Sequence, residues 1–255
     1  MLCYIRRTWN WIGPARKRRI TLDTNIIGPA LKSGAPLRRL LEHGQVECFI
    51  PETRLTLDGL AKNGKIDLLA LREVGHGFKK SKWDDYVQIG VRFLLCPRIG
   101  LPRPTYTDIQ GNRVDYILEN SARDHFFSQE TRQKRYFKAL RFIEGELGAG
   151  RDWLKSLQDE ICAQGGTYQK GATWFENVAN NIDQIGANNF SKRFGDWADA
   201  DAVASHYAYG NYVFCTNDQG KGAGARSVLS STNRQILERR LGLRFMTLEE
   251  VLEAY

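Results

Sequence analysis

Cysteine is sparse in this chain, and its spacing carries no pattern. The 255 residues hold five: Cys3, Cys48, Cys96, Cys162 and Cys215. The number is odd and no Cys-x-x-Cys pair occurs, so neither a disulfide framework nor a zinc site is expected. Such usage fits a reducing, cytoplasmic compartment. Cys48 and Cys215 lie inside apolar runs, where a thiol serves as a small core residue. Long apolar runs are also missing. No stretch approaches the ~20 residues a membrane helix needs, so no membrane partner is expected. The opening MLCYIRRTWNWIGPARKRR has no apolar centre of the signal-peptide kind. There is no internal repeat and no low-complexity tract. The four histidines, His43, His76, His125 and His206, stand in no ligand-like or catalytic context. The glycines from Gly220 to Gly224, with Lys221 among them, lack the spacing of a phosphate-binding Walker loop.

Acidic residues are outnumbered by basic ones, 29 against 37, giving a net charge of +8. That balance favours polyanionic partners, nucleic acid first. Residues 1–18 form a basic arm in which Trp9 and Trp11 sit among Lys and Arg. The mixture suits phosphate contacts plus base stacking. A second basic–aromatic stretch runs from Arg132 to Lys138. Hydrophobic residues make up 42% of the chain, enough to bury a core and to exclude global disorder.

From residue 19 onward the pattern is that of one α/β domain with an insertion. Arg19 to Leu22 reads as a strand that delivers Asp23-Thr-Asn25 at its end. Pro36 to His43 has helical spacing and stops at Gly44. Val46 to Ile50 is a second strand, and Thr53 to Lys62 a helix carrying Asp58. The block 64–195 is expected to be a mostly helical insertion. The α/β pattern returns with a small-residue helix over Ala200 to Tyr209 and a strand over Tyr212 to Cys215, ending in Thr-Asn-Asp218. A helix from Thr232 to Leu241, a strand from Arg244 to Met246 and a last helix from Thr247 to Ala254 follow, the last with a Thr247–Glu250 capping box. Alternating strands and helices predict a mainly parallel sheet covered on both faces.

In such sheets, sites form at the carboxyl ends of the strands. Two predicted strands end there in acidic tripeptides, bringing Asp23 and Asp218 together if the strands are neighbours. Asp196, Asp199 and Asp201 lie on the segment before the later strand, at an expected helix start that would favour Asp199 as a cap. Convergent carboxylates repel one another without a cation. They are hard oxygen donors of the kind that hold Mg²⁺ or Mn²⁺, which points to phosphodiester hydrolysis.

Ile20-Thr-Leu-Asp-Thr-Asn-Ile26 resembles the opening strand motif of the PIN-domain nucleases. Asp201-Ala-Val-Ala-Ser-His-Tyr-Ala208, followed by Val213-Phe-Cys-Thr-Asn-Asp218, is similar to their later helix and strand. Leu243 to Leu252 is similar to their final strand and helix. The likeness covers residues 19–63 and 196–255. It implies a PIN-like, Rossmann-like fold and a Mg²⁺- or Mn²⁺-dependent endoribonuclease. Asp23, Asp201 and Asp218 would be metal ligands, and Asn25, Thr216 and Asn217 would support them. The family's second acidic position, usually Glu, falls on Asp58, with Glu52 as rival. RNA is the implied partner. A homodimer and a protein inhibitor of the antitoxin kind stay open, as does the role of the insertion. Two other readings stand beside this one. An aspartate-nucleophile phosphatase would use Asp23, although Asn25 occupies the place of its usual second Asp. A non-catalytic nucleic-acid-binding protein would keep the fold with a weakened site.

Overall fold

The computed structural model describes residues 17–56, 80–96, 103–123, 126–181, 183, 186–220 and 224–255. The expected arm therefore lies almost wholly outside the described residues, as does Asp58. Five strands form one parallel sheet: β1 (Arg18–Leu22), β2 (Val46–Pro51), β3 (Arg92–Leu94), β6 (Val213–Cys215) and β7 (Phe245–Met246), in the order β3-β2-β1-β6-β7. Two further strands, β4 (Thr105–Thr107) and β5 (Arg113–Asp115), pair as an antiparallel hairpin. The architecture is α/β and Rossmann-like in layout, as expected from the alternation of strands and helices.

The helices of the first half are α1 (Ile27–Leu31), α2 (Pro36–Glu42), α3 (Thr53–Thr56), α4 (Lys80–Gln88) and α5 (Tyr116–Glu119). Those of the second are α6 (Gln129–Gly145), α7 (Arg151–Lys155), α8 (Leu157–Ala163), α9 (Trp174–Asn180), α10 (Ala187–Tyr209), α11 (Ser231–Leu241) and α12 (Leu248–Glu253). Side chains alternate across the central strands and so feed two cores. Ile20, Leu22, Cys48, Ile50, Val213 and Cys215 pack with α1, α2, α4 and α12. Phe49 and Phe214 point to the other face, against α6, α7, α8, α10 and α11. Each such fully buried side chain contributes about 1.5–3 kcal/mol of transfer free energy.

Two features depart from the sequence reading. The block 64–195 supplies β3, a strand of the central sheet, as well as the β4–β5 hairpin. Helix α10 starts at Ala187, so it crosses the expected boundary and puts Asp199 and Asp201 well inside a helix. A short run of small residues marked only the C-terminal half of α10. Its N-terminal half carries Phe190, Phe194 and Trp197, which pack as an aromatic stack. The two basic residues at the start of β1 are absorbed by the fold. Arg18 lies against the rings of Tyr212 and Tyr255, and Arg19 is buried over Phe49.

Candidate active site at the carboxyl edge

Strand β1 runs between β2 and β6, with Leu22 beside Cys215. Asp23 and Thr216 are the next residues on these neighbouring strands. Alternation puts both on the face of α10, the side taken by Thr21 and Phe214. The Asp23 N–H donates to the Cys215 carbonyl at 2.9 Å, which extends the ladder by one bond.

The Asp23 carboxylate is held from three sides. One oxygen accepts from the Thr24 N–H at 2.6 Å. The other accepts from the Thr216 hydroxyl at 2.6 Å and from the Asn25 amide at 2.9 Å. Thr216 Oγ1 in turn accepts from the Asp218 N–H at 3.0 Å. One hydroxyl thus joins the two acidic tripeptides. Asn25 Oδ1 accepts from the Asn217 N–H at 3.3 Å, and Asn217 Oδ1 accepts from Leu248 N–H at 3.1 Å, tying the site to the start of α12. Asp23 is buried and Asp218 is exposed, with Asp218 Oδ1 taking the Gly220 N–H at 2.7 Å. Asp23, Asn25, Thr216, Asn217 and Asp218 are therefore brought together.

Two acidic residues and one arginine join this group without having been singled out as ligands from sequence. Arg234, on α11, is flanked by carboxylates. Burial pulls its guanidinium below the usual value, against the opposing charges of Asp218, Asp23, Glu238 and Asp199. Its Nε and Nη2 are buried and meet no hydrogen-bond partner among the described residues. Asp196, on α10, accepts from Gly150 N–H at 2.7 Å and Val228 N–H at 2.8 Å. Burial, with a smaller push from Asp218, raises its pKa to about 6. Asp196 and Asp199 are three apart and share a helix face. Only the full extent of α10 shows that Asp199 is not a cap; Arg234 gave no local signal.

Asp201 and Glu52 each have a polar partner of their own. Asp201 is fully buried and accepts the Tyr136 hydroxyl at 3.0 Å. Glu52, at the end of β2, is buried and paired with Arg103 at 2.9 Å. Burial raises its pKa, and Arg103 works against that rise. Cys96 lies between the two acids, and both push its thiol upward after the larger effect of burial.

Comparison with known protein families, curated proteins and solved structures finds no match. The geometry must therefore be read on its own chemistry. No group of three or more His, Cys, Asp or Glu side chains gathers at metal-holding distances among the described residues. The donors at hand are nevertheless hard carboxylate oxygens. Mg²⁺ is commonly bound through one or two carboxylates while keeping several waters. Asp23 and Asp218 are donors of that kind, and Thr216 ties the Asp23 carboxylate to the backbone N–H of Asp218. Around Arg234 the carboxylates of Asp23, Asp199 and Asp218 outnumber the single guanidinium, so the edge carries excess negative charge.

Proposed function

We propose that this chain hydrolyses phosphodiester bonds of RNA at the carboxyl edge of its sheet, with Mg²⁺ or Mn²⁺ held by Asp23 and Asp218. The observation that carries the reading is the shared Thr216 hydroxyl, which joins the acidic ends of two neighbouring parallel strands. When bound, the metal supplies Lewis acidity toward a phosphate oxygen and makes a water more acidic. The protein groups do the rest. Thr216 and Asn25 fix the Asp23 carboxylate in one rotamer, which keeps its oxygens aimed at one place. Asp199 adds negative charge across the edge. Arg234 adds a positive charge at this edge, which a non-bridging phosphate oxygen would meet.

Purified protein is expected to cleave single-stranded RNA with Mg²⁺ or Mn²⁺ and to stop in EDTA. Products should carry a 5′-phosphate, because the nucleophile is water and not the ribose 2′-hydroxyl. Asp23→Asn keeps the shape and removes one charge. It should lower the rate by at least ~10²-fold with little change in fold by circular dichroism. Full activity of Asp23→Asn would remove the site from the reaction, and cleavage in EDTA would remove the metal.

The second reading, a non-catalytic RNA-binding protein, draws on the Glu52–Arg103 pair and the burial of Asp201 behind Tyr136. Two of the acids expected at the site are thereby already engaged. It predicts RNA binding without cleavage under every metal condition.

A further inference from the structure

A cavity of about 520 Å³ opens between the end of β3, the first turns of α6 and the end of α10. Its size falls in the usual range of small-molecule sites. Two guanidiniums line it, those of Arg123 and Arg132. Arg132 is held in place: its Nη1 donates to the Phe127 carbonyl at 2.8 Å, and its guanidinium lies 5.2 Å from the centre of the Tyr209 ring. Gln129 and Gln133, one turn apart on α6, add two carboxamides that can both donate and accept. The ring of Tyr136 forms part of the wall, and its hydroxyl is spent on Asp201. Among the described residues that line it there is no carboxylate. A second cavity, of about 530 Å³, makes the contrast. It is lined by Lys80, Asp84, Arg92 and Glu119 among others, and its Lys80 is already paired with Asp84 at 2.8 Å.

We infer that the cavity lined by Arg123 and Arg132 binds one nucleotide unit, a phosphate with its sugar and base. Guanidiniums take the phosphate, with hydrogen bonds assisted by charge. The outer face of the Arg132 guanidinium, backed by the Tyr209 ring, takes the base by stacking. The glutamine amides can meet a base edge, as amides do in nucleic-acid complexes. The Tyr136 hydroxyl ties this wall to Asp201 on α10, the helix that also carries Asp196 and Asp199. As a subsite for the RNA substrate, the inference rests on the ribonuclease reading; as a binding site, it needs no cleavage.

Calorimetric titration of the full chain with AMP, with UMP and with adenosine tests it. AMP and UMP should bind, and adenosine should bind at least tenfold more weakly, because it lacks the anion. Gln133→Glu places a carboxylate in the cavity from an exposed helix position, and Arg123→Gln removes one guanidinium. Each should weaken AMP binding about tenfold or more, the effect of one charge-assisted hydrogen bond, with circular dichroism unchanged. A 5′-phosphorylated RNA tetramer, added to the Asp23→Asn protein so that it stays intact, distinguishes the sources. Competition with AMP assigns the cavity to a nucleotide within RNA; binding of AMP without competition assigns it to a free nucleotide. No AMP binding at millimolar concentration, or equal binding in wild type and both variants, overturns the proposal. AMP binding with no RNA cleavage would leave the cavity in place and sink the ribonuclease reading alone. Cleavage without AMP binding would do the reverse.

Discussion

His206 shows how a single residue can carry no chemistry and still control the molecule. It lies fully buried on α10, with Nδ1 2.8 Å from Thr21 Oγ1 on β1. Asn211 donates to the same hydroxyl at 2.8 Å. Burial, followed by the nearby Arg135, lowers the imidazole pKa from 6.5 to about 3. The unfolded chain therefore binds a proton between those values that the folded chain refuses. Stability present at neutral pH is lost as pH falls below about 6.5, at about 1.4 kcal/mol per pH unit for this group. From pH 7 to pH 5 His206 lowers the stability read from urea midpoints by about 2 kcal/mol, while Asp196, whose pKa burial raises to about 6, works the other way. In His206→Gln the fall should be shallower by about 2 kcal/mol. An equal fall in both proteins would place the acid sensitivity elsewhere. The residue scale is also where sequence reading fared unevenly. Asp23, Asn25, Thr216 and Asp218 were readable because each ends or follows a short apolar strand. Arg234 was not, since its place beside these acids comes from helix packing and leaves no trace in local pattern.

At the scale of elements, α10 is the member whose position decides most. It packs mainly against α6 and α7 and carries Asp196, Asp199, Asp201 and His206. Its approach to α7 is set by Gly150, the residue just before that helix, at φ 68° and ψ −136°. This backbone region is nearly closed to residues with a Cβ. A Cβ there would also stand 2.8 Å from the Cβ of Ala200. Gly150→Ala should thus cost about 2–4 kcal/mol by strain and overpacking together, read as a lowered denaturant midpoint at unchanged slope. A loss below ~0.5 kcal/mol would mean that α10 can yield at this contact. Sequence periodicity located most elements to within a residue or two: β1, α2, β2, β6, α11 and α12 all lie where spacing, glycine stops and the Thr247 capping box put them. It failed for β3, which lies inside the block expected to be mostly helical. It also failed for the front half of α10, where aromatics and charges blur the helical stripe.

On the scale of the whole molecule, the excess of basic residues gives the chain a field that should draw RNA at a distance. Part of that charge is not available for contact. Arg19 is buried over Phe49, and Arg135 lies against the Tyr207 ring and donates to the Tyr207 carbonyl. On the RNA-binding reading, phosphate contacts from the remaining charges should make affinity depend on salt, at a log–log slope of ~0.7 per contact on single strands. With three contacts, affinity for a single-stranded RNA should drop roughly twentyfold over a fourfold rise in salt. Filter binding across that range checks it, and a flat response would show that the positive face is merely solvated.

The order β3-β2-β1-β6-β7 has a consequence in time. The first strand to be made is the central one, and one of its neighbours is nearly the last. At ~5–20 residues per second of synthesis, roughly 10–40 s separate the emergence of Asp23 from that of Asp218. Through that interval one long edge of β1 has no partner, and the hydroxyl that orients Asp23 does not yet exist. An activity built on this pairing cannot start on a half-made chain.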